Sequence, residues 1–329
     1  MSDTPTQVSG PPPRIATCLH GIAAVDAAGN ALHDADVAAW AAVFREVADL
    51  GFDLVELPDS HLRLADLDPA KARDIFAAAR DAGIDLPSVH IQRRSILAPG
   101  LAADNLDYAH RSIDAAAAAG IEVFSTGLHQ PFTENQRDAL WFWTADGPRD
   151  ADDRETWDAA VSGLRDLGRH AADVGLLMSL ELYEDTLLGS ADSAVRLVQD
   201  IGLENVGLNP DVGNLIRLHR PVEDWREIYA KTLPYANYWH LKNYSRDEAA
   251  DGSWHTATPS TLEAGLINYR QVVRDALAGG FDGIFLMEHY GGDSLGMCRT
   301  NAEYLRTLVR SNPSTTGAAS RRAHQEVTA

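Results

Sequence analysis

The sequence is poor in cysteine, with only Cys18 and Cys298 among its 329 residues. Two cysteines so far apart exclude a disulfide framework and a thiolate metal site, and they favour a reducing, cytoplasmic environment. A run of about 18 apolar residues is also lacking, so no membrane span is expected. Residues 1–13 contain no basic stretch followed by an apolar one, and therefore do not resemble a signal peptide.

Basic residues are scarce as well. The chain has 28 Lys and Arg against 48 Asp and Glu, which gives a formal net charge of −20. A surface this acidic repels phosphates, so a role in binding DNA or RNA is excluded. The 45% hydrophobic and 23% charged residues are typical of a globular protein with a large buried core.

The two ends differ in composition from the rest. Residues 1–13 are rich in Pro, Ser, Thr and Gly, and residues 312–329 are similarly polar, so we predict that both segments are disordered. Between them, residues 14–311 are predicted to form one catalytic domain, because short apolar runs alternate regularly with alanine-rich amphipathic runs along this whole stretch.

Eight strands and eight helices are predicted in alternation. The predicted strands are 14–22, 52–57, 85–91, 121–126, 176–182, 206–209, 236–241 and 283–288. The predicted helices are 34–50, 69–82, 101–119, 154–174, 191–201, 222–232, 269–278 and 296–309. Glycines such as Gly120 and Gly202 follow helices, where a left-handed residue is favoured.

This alternation predicts an α/β protein with a parallel sheet, and eight such units close naturally into a single (β/α)₈ TIM barrel. The alternative is an open, doubly wound sheet. That fold usually carries a glycine-rich phosphate turn after its first strand, and no G-x-G-x-x-G follows residues 15–20. The barrel is therefore favoured.

Two connections are unusually long. Residues 129–153 contain the aromatic cluster of Phe132, Trp141, Phe142 and Trp143, and residues 243–268 contain Trp254 and His255. Both follow the carboxyl ends of predicted strands, the face on which barrel enzymes build their active sites. Long aromatic loops at this face indicate function rather than disorder.

The last four predicted strands each end in a charged or imidazole side chain. These residues are Glu181, Asp211, His240 and Glu288. A single acid at a strand end is more often a helix cap or an ion-pair partner, but four at the same end of successive strands would converge, and such groups are costly to bury unless paired or bound to a metal. Three carboxylates and one imidazole suit one hard divalent ion, Mn²⁺ first, with Mg²⁺, Co²⁺ and Zn²⁺ as alternatives.

This order of side chains resembles the xylose-isomerase-like barrel superfamily, which includes ketose 3-epimerases, hydroxypyruvate isomerase, inosose dehydratase and the α subunits of C-glycoside deglycosidases. The resemblance covers residues 14–309 and implies that the four residues are metal ligands. Arg246, six residues after His240, matches the spacing of an arginine that organises the site in the ketose epimerases. Two substrate-binding positions of those epimerases are occupied here by Leu187 and Asn214, which argues against a simple ketose 3-epimerase.

The resemblance implies proton abstraction next to the carbonyl of a keto-sugar, with the metal binding the carbonyl and a neighbouring hydroxyl oxygen. Reprotonation gives epimerisation or isomerisation, whereas loss of a β substituent gives a lyase. We favour a lyase that cleaves a 3-keto C-glycoside, because Trp141 and Trp143 offer flat surfaces for an aromatic aglycone. The alternatives are a keto-sugar isomerase or epimerase, a dehydratase or decarboxylase, and a barrel that has lost catalysis.

Other polar residues are expected at the same face. His129 and His90 are candidate general bases or substrate ligands, although each is equally typical of a structural histidine. Lys242 shares a strand face with His240 and is a candidate for holding a carbonyl or enolate oxygen. Asn214 is a lesser substrate-binding candidate. The resemblance to the deglycosidases also implies a small β subunit, with a homo-oligomer as the alternative.

Overall fold

The computed structural model describes residues 13–26 and 28–311. The predicted disordered segments 1–13 and 312–329 lie outside these residues, apart from Pro13. The described residues form ten strands: β1 (Ile15–Cys18), β2 (Leu54–Pro58), β3 (Asp85–Ile91), β4 (Val123–Thr126), β5 (Leu177–Glu181), β6 (Val206–Asn209), β7 (Tyr238–Leu241), β8 (Asn243–Glu248), β9 (His255–Ser260) and β10 (Ile284–Met287).

Ten α-helices are described. They are α1 (Val37–Asp49), α2 (Pro69–Asp81), α3 (Ala102–Ala119), α4 (Glu134–Asp138), α5 (Arg154–Asp173), α6 (Ala191–Ile201), α7 (Gly213–Ile216), α8 (Trp225–Thr232), α9 (Tyr269–Ala278) and α10 (Ser294–Ser311). Capping signals in the sequence explain several boundaries. Asp36 accepts a hydrogen bond from the backbone N–H of Ala39 at the start of α1, and Gly120 ends α3 with a left-handed φ of 78°.

Eight of the strands form one parallel sheet in the order β6-β5-β4-β3-β2-β1-β10-β7. A parallel bridge between Leu208 of β6 and Ala236, just before β7, joins the two edges, so the sheet is a nearly closed barrel. One long helix follows each barrel strand, and β8 and β9 are additional. The predicted (β/α)₈ TIM barrel is confirmed.

The hydrophobic core has two parts. A large cluster fills the space between the barrel and its helices, and a small cluster that includes Ala16, Cys18, Tyr238 and Leu286 forms separately from it. Members of the small cluster alternate along their strands, as residues that face one side of a sheet must. The same alternation carries Tyr238 on to His240, so the interior face leads directly to the polar residues at the carboxyl ends.

Two details differ from the expected elements. The connection 243–268 contains an antiparallel hairpin of β8 and β9, with Asn243 opposite Ser260, which the polar sequence of this stretch did not indicate. The first strand is four residues long rather than the predicted 14–22. Among the described residues, no helix has the length and apolar character needed to cross a membrane.

Candidate active site

Four buried side chains meet at the carboxyl end of the barrel. Glu181 ends β5, Asp211 lies two residues after β6, His240 is in β7, and Glu288 follows β10. Each offers one ligand atom, and these atoms lie within 4.8 Å of one another. The four strand-end residues selected from the sequence are thus brought together as a single cluster.

The His240 ring is oriented by Glu56, which lies across the barrel on β2. Nε2 of His240 lies 3.2 Å from Oε2 of Glu56, and the same carboxylate oxygen accepts a hydrogen bond from the Tyr238 hydroxyl. Nδ1 faces the other way, 3.4 Å from Glu181 and 3.3 Å from Glu288. A carboxylate that accepts from one ring nitrogen fixes the tautomer and leaves the other nitrogen free as a ligand. Sequence reasoning missed this role of Glu56.

The donors in this cluster fit a divalent cation. Within the described part of the chain, neither carboxylate oxygen of Asp211 nor Nδ1 of His240 has a well-oriented hydrogen-bond partner, although all are buried. Nζ of Lys242 does form ion pairs with Asp211 at 2.6 Å and with Glu288 at 2.7 Å. Burial, together with the neighbouring carboxylates, raises the pKa of Asp211 to about 8. Buried carboxylates whose charge one lysine only partly offsets are the kind of oxygen-rich donor set that a hard divalent cation prefers.

Two imidazoles lie on the Glu181 side of the cluster. Nε2 of His129 and Nε2 of His90 lie 2.8 Å and 3.1 Å from the same oxygen of Glu181. Burial lowers the pKa of His129 to about 4, whereas the Glu181 carboxylate overcomes the effect of burial at His90 and raises its pKa. A neutral His129 donates its Nε2 proton to Glu181 and carries a lone pair on Nδ1, which is buried without a described hydrogen-bond partner.

Two other side chains, His20 and Lys242, contact Glu288. Nδ1 of His20 lies 3.3 Å from one oxygen of Glu288, and Lys242 donates a hydrogen bond to the other. Burial opposes ionisation of Glu288, but the Lys242 ammonium outweighs it and holds the pKa of that carboxyl well below its usual range. The two candidate ligands Glu181 and Glu288 therefore each have their own set of proton-bearing neighbours.

Asn214 and Lys242 contact the cluster directly. Nδ2 of Asn214 donates to Oε1 of Glu181 and to the backbone oxygen of Leu182, so this amide fixes the direction of the Glu181 carboxylate. The Lys242 side chain passes close to Gly213, where an added Cβ would lie 2.4 Å from Cγ of the lysine. Of these two residues, Asn214 also lines the central cavity.

Three residues predicted to bind substrate lie elsewhere. Trp143 is 5% exposed and packs edge-on against Tyr244 and Tyr290, and Trp141 stacks on Trp143 with ring centroids 5.0 Å apart. Neither tryptophan is among the residues that line the cavity. Arg246 donates hydrogen bonds to the backbone oxygens of residues 216, 218 and 220. In this structure the three side chains face protein, and their contact with substrate stays a prediction.

The cavity at the cluster encloses about 20 Å³, which is room for roughly one water-sized group. Its lining consists of His20, His90, Gln92, Arg93, His129, Glu181, Tyr183, Asn214, His240, Glu288 and Tyr290. A ligand larger than a water molecule would fit only if some of these side chains moved.

Arg93 is a lining residue that sequence reasoning missed. Its backbone has a φ of +57°, its guanidinium lies 3.6 Å from the centre of the Phe132 ring, and it donates to the Tyr183 hydroxyl. Within residues 13–311, excluding residue 27, no carboxylate forms an ion pair with it. The adjacent Arg94 is paired with Asp59. The only sequence signal was the Arg93-Arg94 pair directly after β3.

Comparisons with known proteins agree with this architecture. The profile of a family described as xylose isomerase-like TIM barrel matches residues 44–308. No curated protein matches the chain. A solved xylose isomerase-like TIM barrel protein from Mycobacterium smegmatis, in complex with magnesium, is 40% identical, with 91% of this chain and 97% of that chain covered and a TM-score of 0.86.

More distant structures share the fold. Mannonate dehydratase from Streptococcus suis is 14% identical, with 92% of this chain and 94% of that chain covered and a TM-score of 0.65. The 3-keto-D-glucoside 4-epimerase from E. coli is 15% identical, with 90% and 99% covered and a TM-score of 0.59.

Proposed function

The chain belongs to the xylose isomerase-like TIM barrel family, and from this premise we propose that it is a divalent-metal-dependent enzyme that transfers a proton next to the carbonyl group of a keto-sugar. The observation that carries the proposal is the buried cluster of Glu181, Asp211, His240 and Glu288, whose ligand atoms converge within 4.8 Å. Its oxygen-rich donor set favours Mn²⁺ or Mg²⁺ over softer ions, and we take Mn²⁺ as the native ion.

Glu181, Asp211, His240 and Glu288 would hold the ion, with Glu56 orienting His240 through its other ring nitrogen. When bound, the ion supplies Lewis-acid stabilisation of the negative charge that develops on the carbonyl oxygen. The magnesium complex of the M. smegmatis protein supports a hard divalent ion in this chain as well.

His129 is the proposed general base. Its Nε2–H is held by Glu181, and its Nδ1 is buried without a described hydrogen-bond partner. A neutral imidazole whose orientation is fixed by a carboxylate is the usual arrangement for accepting a proton. His90 also contacts the Glu181 carboxylate, and its other ring nitrogen forms a hydrogen bond with the Ser125 hydroxyl. It would therefore help to fix the positions of Glu181 and His129.

Epimerisation or isomerisation is the outcome that these contacts favour. Returning a proton to the opposite face of the same carbon calls for a second proton-bearing group, and Glu288 has His20 and Lys242 within 3.3 Å. Lys242 also contributes a positive charge that would stabilise an enolate oxygen. The fold similarity to a 3-keto-glucoside 4-epimerase is compatible with this outcome.

Cleavage of a 3-keto C-glycoside remains a proposal that depends on movement of the aromatic segment. In the structure, Trp141 and Trp143 pack against protein and do not line the cavity. An aryl group would therefore have to displace them, which makes this lyase the less favoured fate of the same deprotonated sugar.

A dehydratase acting on an acidic sugar is a second candidate, and Arg93 favours it. Arg93 lines the cavity and has no carboxylate partner in the described structure, whereas its buried neighbour Arg217 is held by both oxygens of Glu184. A guanidinium with an unmatched charge at a substrate cavity suits a carboxylate or phosphate group.

The proposal is tested by solvent exchange. The protein is incubated with Mn²⁺ in D₂O with three probes (a free ketohexose, a 3-keto-glucoside and a keto-sugar acid), and NMR follows deuterium at the carbon next to the carbonyl. We expect metal-dependent deuterium uptake that is lost in Glu181→Gln. Uptake with a product whose configuration is inverted supports the epimerase, and uptake with a product whose carbonyl has moved supports the isomerase. Loss of water supports the dehydratase, and loss of an aryl group supports the lyase. Uptake equal in wild type and Glu181→Gln would overturn the assignment.

A further inference from the structure

A second group of histidines and aspartates lies far from the barrel mouth, on the outer wall between α3 and α5. His110 and Asp114 are four residues apart on α3, and Asp166 and His170 are four residues apart on α5. Residues at this spacing share a helix face. Each helix thus presents one imidazole and one carboxylate to the other.

The contacts between the helices are reciprocal. Nε2 of His110 lies 3.1 Å from Oδ2 of Asp166, and Nε2 of His170 lies 2.8 Å from Oδ1 of Asp114. The two remaining ring nitrogens face each other, with Nδ1 of His110 lying 2.8 Å from Nδ1 of His170. The imidazoles are about one quarter exposed and the carboxylates about two thirds exposed, so the group is open to solutes.

The carboxylates determine where the protons are. An ionised carboxylate only accepts hydrogen bonds, so both Nε2 atoms carry hydrogen. In neutral rings both Nδ1 atoms then carry lone pairs, which repel each other at 2.8 Å unless a cation lies between them.

We propose that His110 and His170 form a second metal site, which binds a first-row transition cation such as Ni²⁺, Cu²⁺ or Zn²⁺ through both Nδ1 atoms. Metal–nitrogen bonds are about 2.0–2.1 Å long, so two cis ligands at a right angle lie about 2.9 Å apart. The observed 2.8 Å therefore suits the square-planar or octahedral geometry of Ni²⁺ and Cu²⁺.

Asp166 and Asp114 complete the arrangement. A ligating histidine ordinarily donates its other N–H to a carboxylate, which fixes the ring and makes it a better ligand. Here each carboxylate comes from the helix opposite its histidine, so a bound ion would link α3 to α5. The nitrogen donors distinguish this site from the oxygen-rich cluster at the barrel mouth, which favours harder ions.

Isothermal titration with Ni²⁺ tests the proposal independently of the mouth cluster. In the double variant Glu181→Gln/Asp211→Asn, which removes two of the candidate mouth ligands, we expect one equivalent of Ni²⁺ to bind and to raise the melting temperature. Adding His110→Gln or His170→Gln should weaken binding at least tenfold, and Asp166→Asn should weaken it less. The matched control Asp158→Asn, an exposed acid elsewhere on α5, should leave binding unchanged.

A crystal soaked in Ni²⁺ locates the ion directly. The proposal requires an anomalous peak between His110 and His170 in the wild-type protein. No peak there, together with unchanged Ni²⁺ binding in His110→Gln, would overturn it. Neither result bears on turnover at the barrel mouth, so the two proposals fail separately.

Discussion

His240 and Glu56 lie on strands β7 and β2, which are not adjacent in the barrel, and Nε2 of His240 lies 3.2 Å from Oε2 of Glu56. This contact turns Nδ1 of His240 toward Glu181, Asp211 and Glu288. The carboxylate of Glu56 thus sets the direction of a candidate metal ligand, although it is not one of the four residues of the converging cluster.

The substitution Glu56→Gln is expected to weaken metal binding by roughly 10- to 100-fold, because the amide accepts a weaker hydrogen bond and no longer fixes the His240 tautomer. Calorimetric titration with Mn²⁺ measures this change. Glu46→Gln, at an exposed position on α1, is the control and should bind as the wild type does. Equal affinities for all three proteins would show that Glu56 has no orienting role.

Gly127→Ala is expected to slow turnover while leaving the barrel folded. A Cβ at this position would lie 2.6 Å from Cε1 of His129, so the imidazole must shift away from its contact with Glu181. Displacing a general base removes a contribution of roughly 10²- to 10⁴-fold in rate, and we expect a fall in kcat of at least tenfold.

Gly163→Ala provides the control for this variant. Its added Cβ would lie 2.7 Å from Cδ1 of Ile96, the flexible end of a side chain that does not line the cavity. A comparable steric conflict should therefore lower stability slightly without lowering kcat. If Gly127→Ala retains full kcat, or if both variants lose it equally, His129 returns to a structural role.

Removing one half of the buried Arg217–Glu184 pair is expected to destabilise the fold. Both Glu184 oxygens accept from Nη2 of Arg217 at 2.7 Å and 2.8 Å, and the arginine is fully buried. Leaving one buried charge without its partner costs about 3–5 kcal/mol. Urea unfolding should show this loss for Glu184→Gln and a smaller loss for Arg217→Met/Glu184→Leu, which removes both charges. Similar free energies of unfolding for the single and the double variant would show that the unpaired charge does not cause the loss of stability.

Stability should fall in mild acid because of His61. Burial lowers the pKa of this imidazole to about 4 from an ordinary value of 6.5, so the unfolded state binds the proton more readily. The contribution of the neutral His61 imidazole to the free energy of unfolding is complete above pH 6.5. It is lost progressively as the pH falls toward 4, and the loss reaches up to about 3 kcal/mol.

His61→Gln isolates this contribution. The ring donates from Nε2 to the backbone oxygen of Ile22, and the glutamine amide can replace that donor without titrating. Between pH 6.5 and 4, the variant should lose stability less steeply than the wild type in urea melts at constant metal concentration. Parallel curves would mean that His61 titrates alike in the folded and unfolded chains.

The sequence predicted the parts of the site that depend on strand ends alone. Glu181, Asp211, His240 and Glu288 were selected because each ends an apolar run, and closure of the barrel brings such positions together. Residue 56 also ends a predicted strand, but its contact with His240 spans 184 positions along the chain, and only the three-dimensional register of β2 and β7 reveals it.

The aromatic residues illustrate what local sequence leaves undetermined. Trp143 lies in a long connection whose aromatic composition suits a substrate-binding surface as well as it suits a packed cover over the barrel. Contacts with Tyr244 and Tyr290, which come from distant parts of the chain, show that Trp143 is packed against protein in this structure. The hairpin of β8 and β9 was likewise missed because its largely polar strands lack an apolar alternation.

Metal content at the barrel mouth tests the central claim most directly. The His110→Gln background removes the proposed outer site, and equilibrium dialysis against Mn²⁺ then counts the ions bound by this protein and by its Asp211→Asn derivative. We predict one tightly bound equivalent in the first and none in the second. No bound Mn²⁺ in the first protein, or an undiminished equivalent in the second, would contradict the assignment of the cluster as the metal site.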